Sequence, residues 1–239
     1  MSGQTYISYT EIFFKGFYIY MNIITGDIHT VIKTIPSGSI DFIYNDPPFA
    51  TTANEWDKPL DWDLLFKECW RVLKPTGVIA LHCSMPFTYE LIRNQTPKYH
   101  YIWIKDKPTN FFHAKKQPLR QQEEILIFYK KQPTYNPQMI GDTFYKTGKA
   151  GKSSYYGSRG EEKQAETGHY GKYPTNILTY TRHIRGASTR PDALVDFFIH
   201  TYSNEGDTIL DLTCYNGLTG NRCAELNRKY IGVDLDPQL

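Results

Sequence analysis

The sequence lacks the features of several protein classes. Its 239 residues contain only four cysteines, Cys69, Cys83, Cys214 and Cys223, and no two of them form a C-x-x-C pair. This spacing argues against a disulfide framework and against a structural zinc site, so we expect four buried thiols in a reducing compartment. No apolar run approaches the ~18 residues of a membrane span. We therefore expect a cytoplasmic protein without a signal peptide.

The sequence as a whole also has little excess of one charge. There are 27 Lys and Arg against 25 Asp and Glu, a formal net charge of +2, which gives little indication of a nucleic-acid or membrane partner. The charges are unevenly distributed, however. Residues 98–190 hold 17 Lys and Arg and 7 Asp and Glu, a net +10, and the rest of the chain carries −8. A basic segment of this kind is typical of a surface that contacts phosphates.

The hydrophobic patterns predict a doubly wound α/β fold with a mainly parallel sheet, because apolar runs alternate with segments of helical period. The length suits one large domain or one domain with an insertion. Between about 130 and 175 no period is sustained, and this Gly-, Ser-, Lys- and Tyr-rich stretch is predicted to be an irregular insertion or loop. The predicted helices are 28–35, 62–73, 86–95, 190–202 and 219–227. The predicted strands are two aromatic runs joined by a turn at Lys15-Gly16, a separate short strand from Met21, segments at 40–44, 78–83, 99–104 and 124–129, the first part of T-I-L-D-L-T-C-Y-N-G-L-T-G at 208–220, and 230–236.

The first candidate site is the motif Asn45-Asp46-Pro47-Pro48-Phe49, directly after a predicted buried strand. Ligands of open α/β sheets bind at the carboxyl ends of strands. The two prolines fix φ and so hold the neighbouring carbonyls in one orientation. Asp46 and the Pro47 carbonyl would then offer two acceptors beside the flat face of Phe49. This arrangement suits an exocyclic amino group on a planar base; the alternative is a Pro-Pro turn that only ends the strand.

The second candidate site is the turn L-D-L-T-C-Y-N-G-L-T-G at 210–220, followed by Asp234 after about twenty residues. A strand, a tight turn, a helix and a strand that ends in an acid are typical of a nucleotide-type cofactor site. The turn lets the backbone approach the ligand, and the second acid binds ribose hydroxyls. The alternative is a plain strand–turn–helix. The candidate cofactor residues here are Asp211, Thr213, Tyr215, Asn216, Gly217 and Asp234.

These motifs, in this order, resemble the circularly permuted beta class of amino-group DNA methyltransferases, which methylate adenine N6 or cytosine N4. The resemblance covers most of the chain. It implies one catalytic domain over 1–239 with a Rossmann-like sheet of the seven-stranded type. It also implies S-adenosylmethionine as the cofactor and no metal ion.

The resemblance assigns further cofactor residues. Asp27 is similar to the acid that faces the adenosine part of the cofactor, and Asp46 also lies in a cofactor-facing motif. A-S-T-R-P-D-A-L at 187–194 is similar to the family motif P-T-Q-K-P near the methionine end, with Thr189 and with Arg190 in place of the lysine. Tyr215 stands where the family turn D-P-F-x-G-S-G has its first glycine. If that position needs a positive φ, tyrosine there costs roughly 1–2 kcal/mol; if the turn is shaped differently, Tyr215 covers the cofactor.

The implied mechanism is base flipping followed by direct methyl transfer. Phe49 would stack on the flipped base, while Asp46 and the Pro47 carbonyl would orient its amino group. An Asp before the Pro pair is more usual in adenine enzymes of this family, so the resemblance favours N6 of adenine. The alternatives are a cytosine-N4 or RNA amino methyltransferase, and a catalytically silent DNA-binding protein.

The family pattern also predicts an inserted target-recognition region at 130–180. Basic and aromatic residues in this part of the chain suit contacts with phosphates and splayed bases, although a solvated loop has the same composition. The candidate partners are double-stranded DNA with a flipped adenine, a second copy of the chain in a homodimer, and a cognate restriction nuclease; no membrane partner is expected. The candidate DNA-binding residues are Lys115, Lys116, Arg120, Lys146, Lys149, Lys152, Tyr155 and Arg159.

Overall fold

A large sheet forms the centre of the structure. The computed structural model describes residues 6–14, 17–146, 168–181 and 190–238, with the backbone alone for 6–14 and 17–21. Within these residues, nine strands form one sheet and two strands form a separate hairpin. The strands are β1 (Tyr6–Phe14), β2 (Phe17–Thr25), β3 (Ile40–Asn45), β4 (Leu73–Cys83), β5 (Tyr99–Thr109), β6 (Arg120–Tyr129), β7 (Ile140–Lys146), β8 (Gly168–Lys172), β9 (Ile177–Thr179), β10 (Thr208–Asp211) and β11 (Lys229–Asp234). The α-helices are α1 (Ile28–Val31), α2 (Trp62–Val72), α3 (Phe87–Asn94), α4 (Asp192–Tyr202) and α5 (Leu218–Glu225).

The order of the strands in the large sheet is β1-β2-β11-β10-β3-β4-β6-β5-β9. The five strands from β2 to β4 in this order are mutually parallel, whereas β1 and β6 run antiparallel to their neighbours. The predicted doubly wound, mainly parallel α/β fold is therefore confirmed, although the sheet has nine strands among the described residues. The late strands β10 and β11 lie between the early strands β2 and β3.

Two hydrophobic cores cover the two faces of the sheet, and β3 contributes to both. Ile43 packs with α1, α2 and α3, while Phe42 and Tyr44 pack with α4 and α5. A strand that is covered on both faces is apolar at nearly every position, which explains the continuous run in the sequence. In α2, Leu65, Cys69 and Val72 are buried at helical spacing, as predicted.

Two sequence predictions about secondary structure are wrong. Met21 does not begin a separate strand, because β2 runs through it and pairs on both sides, with β1 and with β11. Residues 130–175 are not irregular throughout, since β7 and β8 form an antiparallel pair. Most residues of these two strands are exposed, and their sequences do not alternate hydrophobic and polar residues as a half-buried strand does. The turn predicted at Lys15-Gly16 lies outside the described residues.

The chain divides into two compact units. One comprises Met1–Asn136 and Asn176–Leu239 and contains the large sheet; the other is Pro137–Thr175 and contains the β7–β8 hairpin. All four cysteines are buried and free, as predicted. Among the described helices, none has the length and apolar character that a membrane crossing requires.

Candidate functional site

The carboxyl ends of the central parallel strands meet at one edge of the sheet. Asp27 follows β2, Asp46 follows β3, and Asp211 and Asp234 end β10 and β11. The parallel pairing therefore brings the predicted catalytic motif, the predicted cofactor turn and both flanking acids to the same edge. The sequence predicted the catalytic motif and the cofactor turn separately. The order of the strands in the sheet explains why the two are neighbours.

Asp234 joins the cofactor turn to the start of α1. Its carboxylate accepts the Tyr215 N–H at 2.8 Å, and its main-chain carbonyl accepts the Gly26 N–H at 2.9 Å. The next residue, Asp27, is the N-cap of α1 and accepts the Thr30 N–H at 3.1 Å. Three segments far apart in the sequence are thus held together by short polar contacts.

Asp27 is exposed and remains ionised down to low pH. Burial acts to raise its pKa, but hydrogen bonds from His29 and Thr30 outweigh that effect and lower the pKa below its ordinary value. An ionised carboxylate at a helix N-terminus is also stabilised by the unpaired N–H groups there. Asp27 therefore offers a charged acceptor at the edge of the sheet.

The turn after β10 adopts the left-handed conformation at Tyr215, with φ 43°, and again at Gly217, with φ 70°. The first of the two sequence alternatives therefore applies, and tyrosine at this position carries a backbone cost of roughly 1–2 kcal/mol. The Tyr215 side chain is 44% exposed at the surface of the turn. Asn216 stabilises the same turn, since its side-chain oxygen accepts the Leu218 N–H at 3.3 Å.

Asp211 lies inside the turn. Its side chain is 4% exposed and accepts the Thr213 N–H at 3.1 Å and the Tyr230 hydroxyl at 3.3 Å. Burial raises the pKa of Asp211 to about 7, despite the hydrogen bonds that act to lower it. These contacts give Asp211 a part in shaping the turn, and its contact with a cofactor stays a prediction.

Thr213 fastens the cofactor turn to the catalytic motif. Its hydroxyl lies 3.0 Å from Asn45 Oδ1 and 3.0 Å from the Asp46 main-chain oxygen, so one proton is shared between two acceptors. The same Asn45 oxygen accepts the Leu212 N–H at 2.9 Å. The sequence placed Asn45 in the candidate motif but gave it no role, although a polar residue at the end of an apolar strand is a signal that it has buried partners.

The Pro-Pro turn places Phe49 against the core. Pro47 is buried, and the Phe49 ring stacks on Phe87 with 5.2 Å between ring centroids and 20° between planes. One face of Phe49 is thus covered by a protein ring. Phe49 is only partly buried, so part of the side chain remains exposed beside this contact.

Asp57 organises the loop that follows this motif. Its buried carboxylate accepts three successive N–H groups, from Ala50 at 2.7 Å, Thr51 at 2.9 Å and Thr52 at 2.7 Å. Burial acts to raise the pKa of Asp57, but the hydrogen bonds from Thr52, Ala50 and Thr51 lower it overall. Sequence reasoning missed this residue, because the loop has no periodic pattern.

A buried charge network lies behind Asp46, and we call it the Glu123 network. Arg190 forms ion pairs with Asp46 and, at 2.8 Å, with Glu123. Glu123 also receives Lys105 Nζ at 2.9 Å and His82 Nδ1 at 2.8 Å. Two carboxylates thus face two cations, which offsets much of the cost of removing the charges from water.

Both central members of the network are charged. Burial acts to raise the pKa of Glu123, but Arg190, His82 and Lys105 hold it well below its ordinary range. Burial acts to lower the pKa of Arg190, but Asp46 and Glu123 raise it above its ordinary value. Because an ionised carboxylate only accepts, His82 Nδ1 donates to Glu123, while His82 Nε2 forms a hydrogen bond with the Tyr44 hydroxyl at 2.8 Å.

The ligand atoms of Asp46, His82 and Glu123 lie within 4.8 Å of one another, a spacing that could hold a metal ion. Arg190 bonds both carboxylates and supplies the positive charge at this place. The sequence predicted Arg190 and Asp46 but not Glu123 or His82. His82 had a signal in the sequence, since a buried polar group in an apolar strand run needs partners. Glu123 had none, because it lies in the polar stretch R-Q-Q-E-E that precedes the apolar part of β6.

The predicted DNA-binding residues are distributed over both units. Lys115 and Lys116 are exposed in the loop between β5 and β6, and Arg120, the first residue of β6, donates to Ser84 Oγ at 3.2 Å. Lys146 is exposed at the end of β7. Four further DNA candidates and one cofactor candidate lie outside the described residues: Lys149, Lys152, Tyr155, Arg159 and Thr189.

Comparisons with known proteins give consistent matches. Residues 40–239 match the N6_N4_Mtase family model, which is described as DNA methylase. The chain is 29% identical over 236 residues to the DNA adenine methyltransferase YhdJ of Escherichia coli (strain K12), covering 90% of this chain and 79% of that protein. It is 27% identical over 229 residues to the type II methyltransferase M.HpaI of Haemophilus parainfluenzae, covering 87% of this chain and 68% of that protein.

Solved structures share the fold. The cytosine-N4-specific PvuII DNA methyltransferase superimposes with a TM-score of 0.65 at 14% identity and covers 91% of this chain and 82% of that chain. The M1.HpyAVI–SAM complex superimposes with a TM-score of 0.59 at 20% identity and covers 91% of this chain and 95% of that chain.

Proposed function

The chain belongs to the N6/N4 DNA methylase family, the amino-DNA methyltransferases that modify adenine N6 or cytosine N4, and on that basis we propose that it transfers a methyl group from S-adenosylmethionine to N6 of adenine in DNA. One observation carries the proposal. Asp46, at the carboxyl end of β3, is tied by Thr213 to the turn between β10 and α5. This is the arrangement that an amino group beside a nucleotide-type cofactor requires.

The residues at the sheet edge fit S-adenosylmethionine. The carboxylates of Asp27 and Asp234 retain acceptor positions for ribose hydroxyls, because each accepts only part of the hydrogen bonds that a carboxylate can take. Two buried donors, Asn45 Nδ2 and Arg190 Nε, have no partner within the described ranges. A polar ligand at this edge would supply acceptors for such donors.

The residues of the chain orient the reacting amino group. Asp46 and the Pro47 carbonyl accept its two N–H bonds, which makes the nitrogen more pyramidal and more nucleophilic. Arg190 fixes the direction of the Asp46 carboxylate, and Phe49 offers one ring face to the base. When bound, the cofactor would supply a methyl group on a positively charged sulfur, whose S–C bond breaks as the N–C bond forms. The proton that the nitrogen then loses passes to the Asp46 carboxylate, which accepts one of its N–H bonds, and from there to water. No covalent enzyme intermediate is required, and the four buried cysteines have no role in the reaction.

The preference for adenine rests on Asp46 before the Pro pair, together with the adenine specificity of the Escherichia coli relative. Cytosine N4 is the second candidate, and the cytosine-N4 specificity of the PvuII enzyme favours it. Both bases carry an exocyclic amino group that the same two acceptors would bind. The target must leave the duplex stack in either case.

We also propose that the predicted insert at 130–180 reads the target sequence. The compact unit Pro137–Thr175 lies within this range. Its hairpin carries aromatic pairs, Phe144 with Tyr170 and Tyr145 with His169, of which Phe144 and Tyr170 are largely exposed. Exposed aromatic rings near lysines suit contacts with bases and phosphates.

The decisive experiment is the sequencing of modified bases in DNA from cells that express the chain, followed by nucleoside mass spectrometry. N6-methyladenine at one short sequence is the expected result. If N4-methylcytosine is found without N6-methyladenine, the target is cytosine N4 and the adenine proposal is wrong. Absence of both, together with no heat of binding at millimolar S-adenosylmethionine, would favour a silent DNA-binding protein.

A further inference from the structure

Two adjacent phenylalanines project from the loop between β5 and β6. Phe111 is 64% exposed and Phe112 is fully exposed, at 102%. Asn110, in the left-handed conformation with φ 72°, precedes a short 3-10 helix at Phe111–His113, so the pair is presented by a defined turn. Large apolar side chains that remain in water at adjacent positions indicate a contact made outside the chain.

This loop lies at the same edge of the sheet as Asp46. Arg120, which pairs with Thr109 at the base of the loop, donates to Ser84 directly after β4. Three residues further along β6, Glu123 bonds the Arg190 that pairs with Asp46. Three residues of strand span about 10 Å. The base of the loop, at Arg120, is therefore separated by three residues of β6 from the network that holds the proposed catalytic carboxylate.

The charges around the pair fit a duplex. Lys115 and Lys116 follow in the same loop, and both are exposed. Proteins that kink or open DNA combine cations on the phosphates with apolar side chains inserted between base steps. Phenylalanine and leucine are among the residues used in that way.

We propose that Phe112, supported by Phe111, enters the duplex beside the target base and fills the space that the flipped base leaves, while Lys115 and Lys116 bind the neighbouring phosphates. The proposal rests on the proposed function, because it requires that the target base leaves the stack. Filling the gap offsets the loss of stacking and pairing, which is the main cost of flipping.

The experiment compares the wild type with three variants, Phe112→Ala, Phe112→Leu and the double variant Phe111→Ala/Phe112→Ala. The substrates are two unmethylated duplexes that carry the recognition sequence. One duplex is fully paired, and in the other the target lies opposite an abasic site, where flipping costs little. On the paired duplex we expect kcat/KM to fall at least about tenfold for Phe112→Ala and further for the double variant. On the abasic duplex the loss should shrink to about threefold or less, and Phe112→Leu should retain most of the activity on both.

The control is the double variant Lys115→Ala/Lys116→Ala. It should weaken binding to both duplexes alike and reduce the slope of log affinity against log salt by about one per phosphate contact. A 2-aminopurine at the target position gives a direct readout, since flipping removes it from the stack and raises its fluorescence. Phe112→Ala should reduce that rise on the paired duplex.

Two outcomes would overturn the proposal. Equal losses of Phe112→Ala on the paired and abasic duplexes would make Phe112 an ordinary binding contact. A shift from dimer to monomer in sedimentation, with unchanged kcat/KM, would assign the pair to contact with a second copy of the chain. If the wild-type protein does not methylate DNA, the proposed function is wrong. If the wild-type protein methylates DNA and Phe112→Ala does so equally well, only the role of Phe112 is wrong.

Discussion

At the scale of single residues, Asp46 is the group on which the proposed reaction depends most. Asp46→Ala removes the charged acceptor for the amino group, and we expect methyl transfer to fall at least about a hundredfold. The affinity for S-adenosylmethionine should change only a few-fold, because Asp234 and the turn are unaltered. Calorimetry with the cofactor and a filter assay of methyl incorporation measure the two effects. Retained turnover would remove Asp46 from its assigned role.

Glu123 should act on the reaction through Arg190. Glu123→Gln leaves the two cations of the Glu123 network facing one carboxylate, so we expect the free energy of unfolding to fall by about 3 kcal/mol and kcat to fall more than KM changes. Glu124→Gln is the matched control, because Glu124 accepts a hydrogen bond from Thr88 and lies outside the network. Urea unfolding and single-turnover kinetics separate the two effects. Similar losses in both variants would contradict a special role for Glu123.

Asp211 should make stability depend on pH. Its pKa rises from about 4 in the unfolded chain to about 7 in the folded protein. Between these values the folded state holds a proton that the unfolded state has lost, so stability falls as pH rises from about 4 to about 7. The difference in unfolding free energy between wild type and Asp211→Asn should therefore change by about 2–4 kcal/mol over this range and then level off. Parallel curves for the two proteins would show that Asp211 titrates normally.

The sequence predicted the site residues that carry a local pattern. Asp46 precedes two prolines, and Asp234 follows the turn at a typical spacing, so neighbouring residues were sufficient. Glu123 and His82 could not be predicted in the same way, because their bond joins positions 41 residues apart and only the sheet register brings them together. The sequence showed only that His82 was a polar residue in an apolar strand, while Glu123 stood among other polar residues.

At the scale of elements, the loop after the catalytic motif depends on one carboxylate. Asp57→Ala leaves three N–H groups without their acceptor, and we expect the unfolding free energy to fall by about 1–3 kcal/mol and kcat/KM to fall about tenfold. Asp57→Asn is the control, since it keeps one acceptor oxygen. Its unfolding free energy and kcat/KM should lie between those of the wild type and of Asp57→Ala. A fall in stability without any change in kcat/KM would separate the loop from the reaction.

Elements with a buried face were predictable, and exposed ones were not. β3 and α2 match their predicted positions within one residue because their apolar side chains follow the period of the element. The β7–β8 hairpin was missed because most of its residues are exposed and show no hydrophobic alternation. β5 and β6 extend beyond the predicted 99–104 and 124–129 into polar residues that pair with each other at the base of the loop.

At the scale of the whole molecule, the separation of charge should govern DNA binding. Residues 98–190 carry a net +10 and the remainder −8, so phosphates should be bound by one part of the chain. With four phosphate contacts, raising the salt concentration from 50 to 200 mM should weaken DNA binding about a hundredfold. The affinity for S-adenosylmethionine, measured in the same buffers, should stay within about twofold. A DNA affinity that does not depend on salt would contradict the assignment of phosphate binding to residues 98–190.

The order of the strands has a consequence for how the protein is made. On the ribosome, β2 and β3 emerge early, yet both must wait for β10 and β11, the pair that fills the gap between them. Until residue 234 has left the exit tunnel, the nascent chain carries two unpaired inner strand edges, and such edges favour aggregation. The inner edges of β2 and β3 are therefore protected only once β10 and β11 have emerged and paired between them.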